Sequence, residues 1–106
     1  MTSSASTWVF GSLQVSPGER SIRVNGVVHK PGGRAFSLLL YLIENRHRMV
    51  SKAEIFEQVW PGLVVEENNL TVQISKLRKV LGPDVLATFS GRGYRFMLDL
   101  PSDEAG

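Results

Sequence analysis

An α+β domain is what this chain predicts: an antiparallel sheet of three to four strands, then three helices, then a β-hairpin. Three observations carry that expectation. Residues 8 to 29 alternate in short runs between turn signals, residues 34 to 81 switch to a helical period in three blocks, and residues 85 to 98 return to two β-rich runs about a glycine-lined turn.

The elements follow in order. Trp8 and Phe10, Leu13 and Val15, Ile22 and Val24, and Val27 with Val28 are separated by Ser16-Pro17-Gly18 and by Asn25-Gly26, the second a strong hairpin signal. A small meander is expected there. After the breaker Lys30-Pro31-Gly32-Gly33, Phe36, Leu39, Leu40 and Ile43 fall at helical offsets, and Leu38, Tyr41 and Leu42 widen the stripe. This first helix is expected to be the most enclosed element. Its start lacks a good cap. The second helix opens on Ser51-x-x-Glu54, a capping box, with Val50 and Ile55 at the positions of a hydrophobic staple. Ile55, Phe56 and Val59 are expected to face inward, and Pro61-Gly62 to end the helix after Trp60. A loop through Leu63, Val64 and Val65 leads to a third helix, over about 67–81, with Glu66 and Glu67 in its first turn and Gly82-Pro83 as its stop. The hairpin is read as Val85 to Phe89 and Tyr94 to Leu98 around Ser90-Gly91-Arg92-Gly93.

Composition limits the function. With 106 residues and 42% apolar content the chain makes one domain. It has no cysteine, so disulfides, thiolate metal sites and a cysteine nucleophile are all excluded. The longest apolar run, Leu38 to Ile43, is too short to span a bilayer. No secretion signal opens the chain, and the expected location is the cytoplasm. Residues 1–7 are expected to be disordered, 8–100 to form the domain, and 101–106 to be a linker or frayed tail.

Charge is unevenly placed. Between Asn68 and Met97 lie five basic residues and one acid, whereas the other 76 residues hold seven basic and nine acidic groups. A basic helix beside a basic hairpin tip predicts a polyanionic partner, most simply duplex DNA. On the third helix Leu70, Ile74, Leu77 and Leu81 form the core stripe. Asn68, Val72, Ser75, Lys76 and Lys79 fall opposite, with Asn69 and Gln73 at the edge. Amides that pair with adenine edges, a methyl-bearing side chain for thymine and ammonium groups for phosphate suit a major groove, where a carboxylate would be repelled. Against this stands the plain reading of a solvated helix face, on which lysines and amides are common. Arg92, between two glycines at a turn tip, suits a narrow minor groove; the plain alternative is an exposed turn arginine. Lys76, Lys79, Arg92 and Arg95 are the expected cationic contacts.

Taken together, Phe36-x-Leu38-Leu39, Val50-Ser51-x-x-Glu54-Ile55, Val59-Trp60, Leu70-Thr71-Val72-x-Ile74-Ser75-x-Leu77-Arg78-Lys79-x-Leu81-Gly82 and Gly91-Arg92-Gly93-Tyr94-Arg95-Phe96 form a pattern. From Arg34 to Phe96, and more loosely before it, the chain resembles the winged helix-turn-helix effector domain of OmpR/PhoB-type bacterial transcriptional regulators, many of which work in phosphorelays. The resemblance implies a four-stranded amino-terminal sheet, three helices and a carboxyl-terminal wing. It implies contacts to double-stranded DNA from Asn68, Val72, Gln73, Ser75 and Lys76 on the third helix and from Thr88, Arg92 and Tyr94 on the wing. It also implies tandem dimers on repeated half-sites from a protein that is monomeric in solution. The segment from 60 to 67 matches a loop that in some members touches RNA polymerase; its apolar trio is expected to pack on the third helix rather than to serve a partner.

The chain departs from the family at Gly33, Arg34 and Ala35, where a threonine or proline and a glutamate are frequent, and on the recognition face, where relatives often carry arginine or histidine. The sequence includes no phosphoacceptor receiver domain, and its early start suggests regulators whose DNA-binding module comes first.

Rival classes fit less well. Arg92-Gly93-Tyr94-x-Phe96 half matches a ribonucleoprotein signature, but Arg95 and Asp99 occupy its small and aromatic positions. An enzyme would need clustered groups, yet His29 and His47 lie in unrelated elements and Gly91-x-Gly93 has no helix to receive a phosphate. No catalysis, metal or cofactor is expected, and no membrane contact within this segment. A winged helix kept only for docking proteins, through the 63–65 loop and the aromatic sheet, is the remaining alternative.

Overall fold

A computed structural model describes residues 7–98. Four short strands come first: β1 (Trp8–Phe10), β2 (Leu13–Ser16), β3 (Ser21–Val24) and β4 (Val27–His29). They form an antiparallel meander in the order β1-β2-β3-β4. Asn25 and Gly26 make the two-residue turn between β3 and β4, both with positive φ (51° and 85°), which matches the twist of the flanking strands. Phe10, Leu13, Val15 and Ile22 line the buried face.

Helix α1 (Gly33–Glu44) lies at the centre of the core, with Ala35, Phe36, Leu38, Leu39, Leu42 and Ile43 all buried. Its N-cap is Gly32, and no side chain caps it. The two-residue strand β5 (Val50–Ser51) runs directly into α2 (Lys52–Val59), and α3 (Glu67–Leu81) follows the 60–66 loop. The strands β6 (Leu86–Phe89) and β7 (Gly93–Phe96) form the wing, in a second sheet of order β5-β7-β6.

Several expectations need correction. The Ser51 hydroxyl accepts a hydrogen bond from the Glu54 amide at 3.1 Å, but the Glu54 carboxylate turns to Tyr41 and Arg48 instead of closing the box. Phe56 is only partly buried, packed on Trp60 with ring centroids 5.6 Å apart, because it sits at the edge of the α2 core face. Leu81 is likewise partly buried, at the end of α3 where the core runs out. Glu66 is the N-cap residue of α3, leaving only Glu67 in the first turn. Gly93 belongs to β7 opposite Phe89, so the wing turn is Ser90 to Arg92. The expectations for residues 1–6 and 101–106 lie outside the described residues.

Candidate nucleic-acid interface

Helix α3 exists because Leu70, Ile74 and Leu77 bury one stripe against the core, with α1 as its main helical neighbour. The opposite side is open. Asn68, Asn69, Val72, Ser75, Lys76 and Lys79 are exposed, Val72 at 40%, and Gln73 is half-buried at the rim. Among the described residues, Glu67 is the only acid on the helix, and it lies in the first turn. Arg78 and Lys79 occupy the last turn, where positive charge complements the helix dipole.

The wing is fastened to this helix at two points. Arg78 donates through Nη2 to the Leu86 carbonyl at 2.9 Å and to the Thr88 hydroxyl. At the tip, the Arg92 amide donates to the Phe89 carbonyl at 2.8 Å, closing the turn, while the Arg92 carbonyl accepts from the Lys52 amide at 2.9 Å. Lys52 then reaches with its ammonium to Glu67, in the first turn of α3. That hydrogen bond raises the Lys52 pKa and keeps the cation charged. The wing tip and the start of α3 are therefore one lysine apart, and the Arg92 side chain is exposed.

The expected site residues divide in three. The α3 set of Asn68, Asn69, Val72, Gln73, Ser75, Lys76 and Lys79 lies along one side of one helix. Arg92 is exposed at the wing tip, and Thr88 is exposed on β6 with its hydroxyl engaged by Arg78. Tyr94 is different: it is 7% exposed, directly opposite Thr88 and also paired with Val50, so its ring is part of the core. Arg95, expected as a cationic contact, donates from Nε to the Arg46 carbonyl at 3.1 Å, just past α1, because alternation along β7 turns it away from the Tyr94 face.

The 60–67 loop also corrects the sequence reading. Val65 packs against the core, but Leu63 is 55% exposed and Val64 fully so. Packing on the core thus accounts for one of the three apolar side chains. Sequence reasoning passed over Lys52 and the structural use of Arg78; the helix-start position of Lys52 carried no charge pattern that would have singled it out.

Comparison with known proteins agrees with this architecture. The sequence profile of the family described as transcriptional regulatory protein, C terminal, matches residues 29–96. The transcriptional regulatory protein PrrA of Mycobacterium tuberculosis is 37% identical over 98 residues, covering 88% of this chain and 42% of that protein. The phosphate regulon transcriptional regulatory protein PhoB of Pseudomonas aeruginosa is 32% identical over 90 residues, covering 81% of this chain and 39% of that protein. The chain spans about two-fifths of the length of these relatives, which are regulators and not enzymes. Among solved structures, the DNA-binding domain of E. coli CadC superimposes with a TM-score of 0.79 at 28% identity, covering 88% of this chain and 92% of that one. The DNA-binding domain of E. coli CpxR gives 0.75 at 26% identity, covering 87% and 96%. The chain belongs to the transcriptional regulatory protein C-terminal family, the OmpR/PhoB-type winged helix-turn-helix domains.

Proposed function

We propose that residues 8–100 bind double-stranded DNA sequence-specifically, in the cytoplasm, as the DNA-binding module of a bacterial transcriptional regulator. Helix α3 enters the major groove, where Asn68, Asn69, Val72, Gln73 and Ser75 read base edges and Lys76 and Lys79 face phosphates. Arg92 enters the adjacent minor groove, and Thr88 donates to the backbone between the two. Tyr94 acts through its ring, by keeping the wing rigid.

One observation carries this reading: the amide-rich side of α3 is uncovered by the protein's own strands, and none of its side chains is spent on a hydrogen bond or ion pair among the described residues. Polar groups held in this way on a rigid helix are free for an external partner. A single module of this size buries about 600–1,000 Å² of protein surface on DNA, so useful affinity calls for tandem binding to repeated half-sites by a protein monomeric in solution.

Selection of bound duplexes from a random pool tests the proposal. A recovered motif with repeats about one helical turn apart is the expected result. Gln73→Ala or Asn68→Ala then costs about 1–3 kcal/mol on that motif and little on random DNA, whereas Arg92→Ala weakens binding broadly and removes the preference for A·T-rich flanks. Equal losses on selected and random duplexes from both kinds of change refute the division of roles.

The exposure of Leu63 and Val64 favours a second, compatible reading, in which the 60–67 loop contacts RNA polymerase. Val64→Ser is expected to leave DNA affinity unchanged and to lower transcription activation in a reconstituted assay.

A further inference from the structure

Arg78 is the cation of α3 that the DNA reading leaves unused. It lies half-buried in the last turn, between buried Leu77 and exposed Lys79. Its Nη2 nitrogen carries two protons, and both are directed at the wing strand β6, to the Leu86 carbonyl and to the Thr88 hydroxyl. β6 is an edge strand of its sheet. The Val85 and Phe89 carbonyls turn inward to the amides of Met97 and Arg92, so alternation along the ladder sends the Leu86 carbonyl off the open edge. Arg78 satisfies that carbonyl and joins the edge strand to the recognition helix.

We propose that Arg78 is a positioning residue: it fixes the wing relative to α3 so that major-groove and minor-groove readout are coupled, and it neutralises no phosphate itself. The inference rests on the DNA-binding reading. The inner face of the hairpin is anchored in the core by Leu86, Tyr94 and Phe96, and β7 pairs with the two residues of β5, but it is Arg78 that ties the open edge of β6 to α3. Removing the Arg78 contacts therefore loosens the exposed outer part of the hairpin, from Thr88 to the tip that carries Arg92, against α3. The same contact prepares Thr88: with one lone pair of its hydroxyl taken by the guanidinium, the single hydroxyl proton remains free to donate to a phosphate. Lysine does not replace this arrangement, because its stem is one bond shorter and its freely rotating, strongly hydrated ammonium lacks the rigid guanidinium plane that aims both Nη2 protons at β6.

Arg78→Lys keeps the charge and removes the planar guanidinium group. On the duplex selected by the unmodified domain, R78K is expected to lose roughly tenfold in affinity, within the range found for coupling between contacting residues. Its salt dependence stays as in the parent, since no cation is lost. In the R92A background the same change costs clearly less, because the wing arginine that needed positioning is gone and only Thr88 is left to lose its orientation. Without DNA, amide relaxation of Ala87 to Arg92 in R78K shows order parameters falling from about 0.85 toward 0.6, while α3 amides stay rigid. Additive losses in the double variant, or unchanged wing relaxation, overturn the proposal. A salt slope that falls by about one in R78A, with equal loss on selected and random duplexes, identifies Arg78 as an ordinary phosphate contact and also overturns it. Should the unmodified domain prefer no duplex, the DNA reading fails by itself, and the relaxation arm still decides whether Arg78 holds the wing.

Discussion

Gly93 tolerates less change than any other described glycine. A Cβ built there stands 1.9 Å from the Val50 carbonyl oxygen, 2.8 Å from its carbon and 2.9 Å from the Ser51 Cα. All three are backbone atoms of β5 and its junction with α2, so no rotamer change relieves the clash. Gly91, two residues earlier, meets nothing within 4 Å but holds a φ of 73°, in the left-handed region. Gly93→Ala is expected to destabilise the domain by about 3 kcal/mol or more through forced backbone separation. Gly91→Ala should cost only about 1–2 kcal/mol, the strain of one left-handed residue. Urea denaturation of both variants ranks them; a Gly91→Ala loss equal to that of Gly93→Ala contradicts the packing account. In the sequence these glycines looked alike, two small residues lining a turn. Arg92 between them was legible as an exposed tip, but the need for Gly93 was not, because it comes from a strand 43 residues away in the chain. The burial of the Tyr94 ring was not legible for a related reason: an aromatic residue in a family motif says nothing of which side of β7 it occupies.

At the scale of elements, local signals predicted boundaries well and long-range polar contacts poorly. The limits of α3 and the staple at Val50 and Ile55 follow from periodicity and capping rules within a few residues. Arg34, read from sequence only as a departure from the family, donates from Nη1 to the Val59 carbonyl and so supplies a cation to the carboxyl-terminal end of α2. Glu54 fulfils the helix-start signal only by half, because its carboxylate joins three elements. It receives a forked pair from Arg48, including Nη1 to Oε1 at 3.0 Å, and a hydrogen bond from the Tyr41 hydroxyl on α1. Arg48 first, and then Tyr41, hold its pKa down at about 2, from the usual value of 4.5. The Glu54 bond in turn raises the Tyr41 phenol. As pH falls, the unfolded chain takes up the Glu54 proton before the folded one. The stabilisation from this carboxylate is thus complete above pH 4.5 and is lost as pH drops toward about 2. Glu54→Gln should be less stable than the parent at pH 7, with the gap closing across that interval in thermal unfolding. A gap that stays constant from pH 6 to 2 rules out the carboxylate as its source.

Across the whole molecule, fewer cations are free to reach phosphates than the sequence suggests. Of the five cations between residues 68 and 97, Arg78 is committed to the wing and Arg95 to the Arg46 carbonyl. Lys76, Lys79 and Arg92 remain without an ion pair or hydrogen bond from their side chains among the described residues. Lys52 lies close by but is neutralised by Glu67. Three free cations release about three counterions when they meet phosphates, so the logarithm of the binding constant should fall against the logarithm of salt with a slope of about −2.7 for one module on one half-site. A count from sequence that includes Arg95 gives about −3.6 instead. Two modules on tandem half-sites should double the structural value, to about −5.4, if the second copy docks without burying these side chains. Fluorescence anisotropy titrations between 50 and 200 mM salt distinguish the cases, and Lys76→Gln supplies the internal control by reducing the single-site slope by about 0.9. A slope near zero on the selected duplex removes the electrostatic basis of binding altogether. A single-site slope near −3.6 that Arg95→Gln returns to about −2.7 means that the Arg95 guanidinium leaves the Arg46 carbonyl on binding and turns toward DNA.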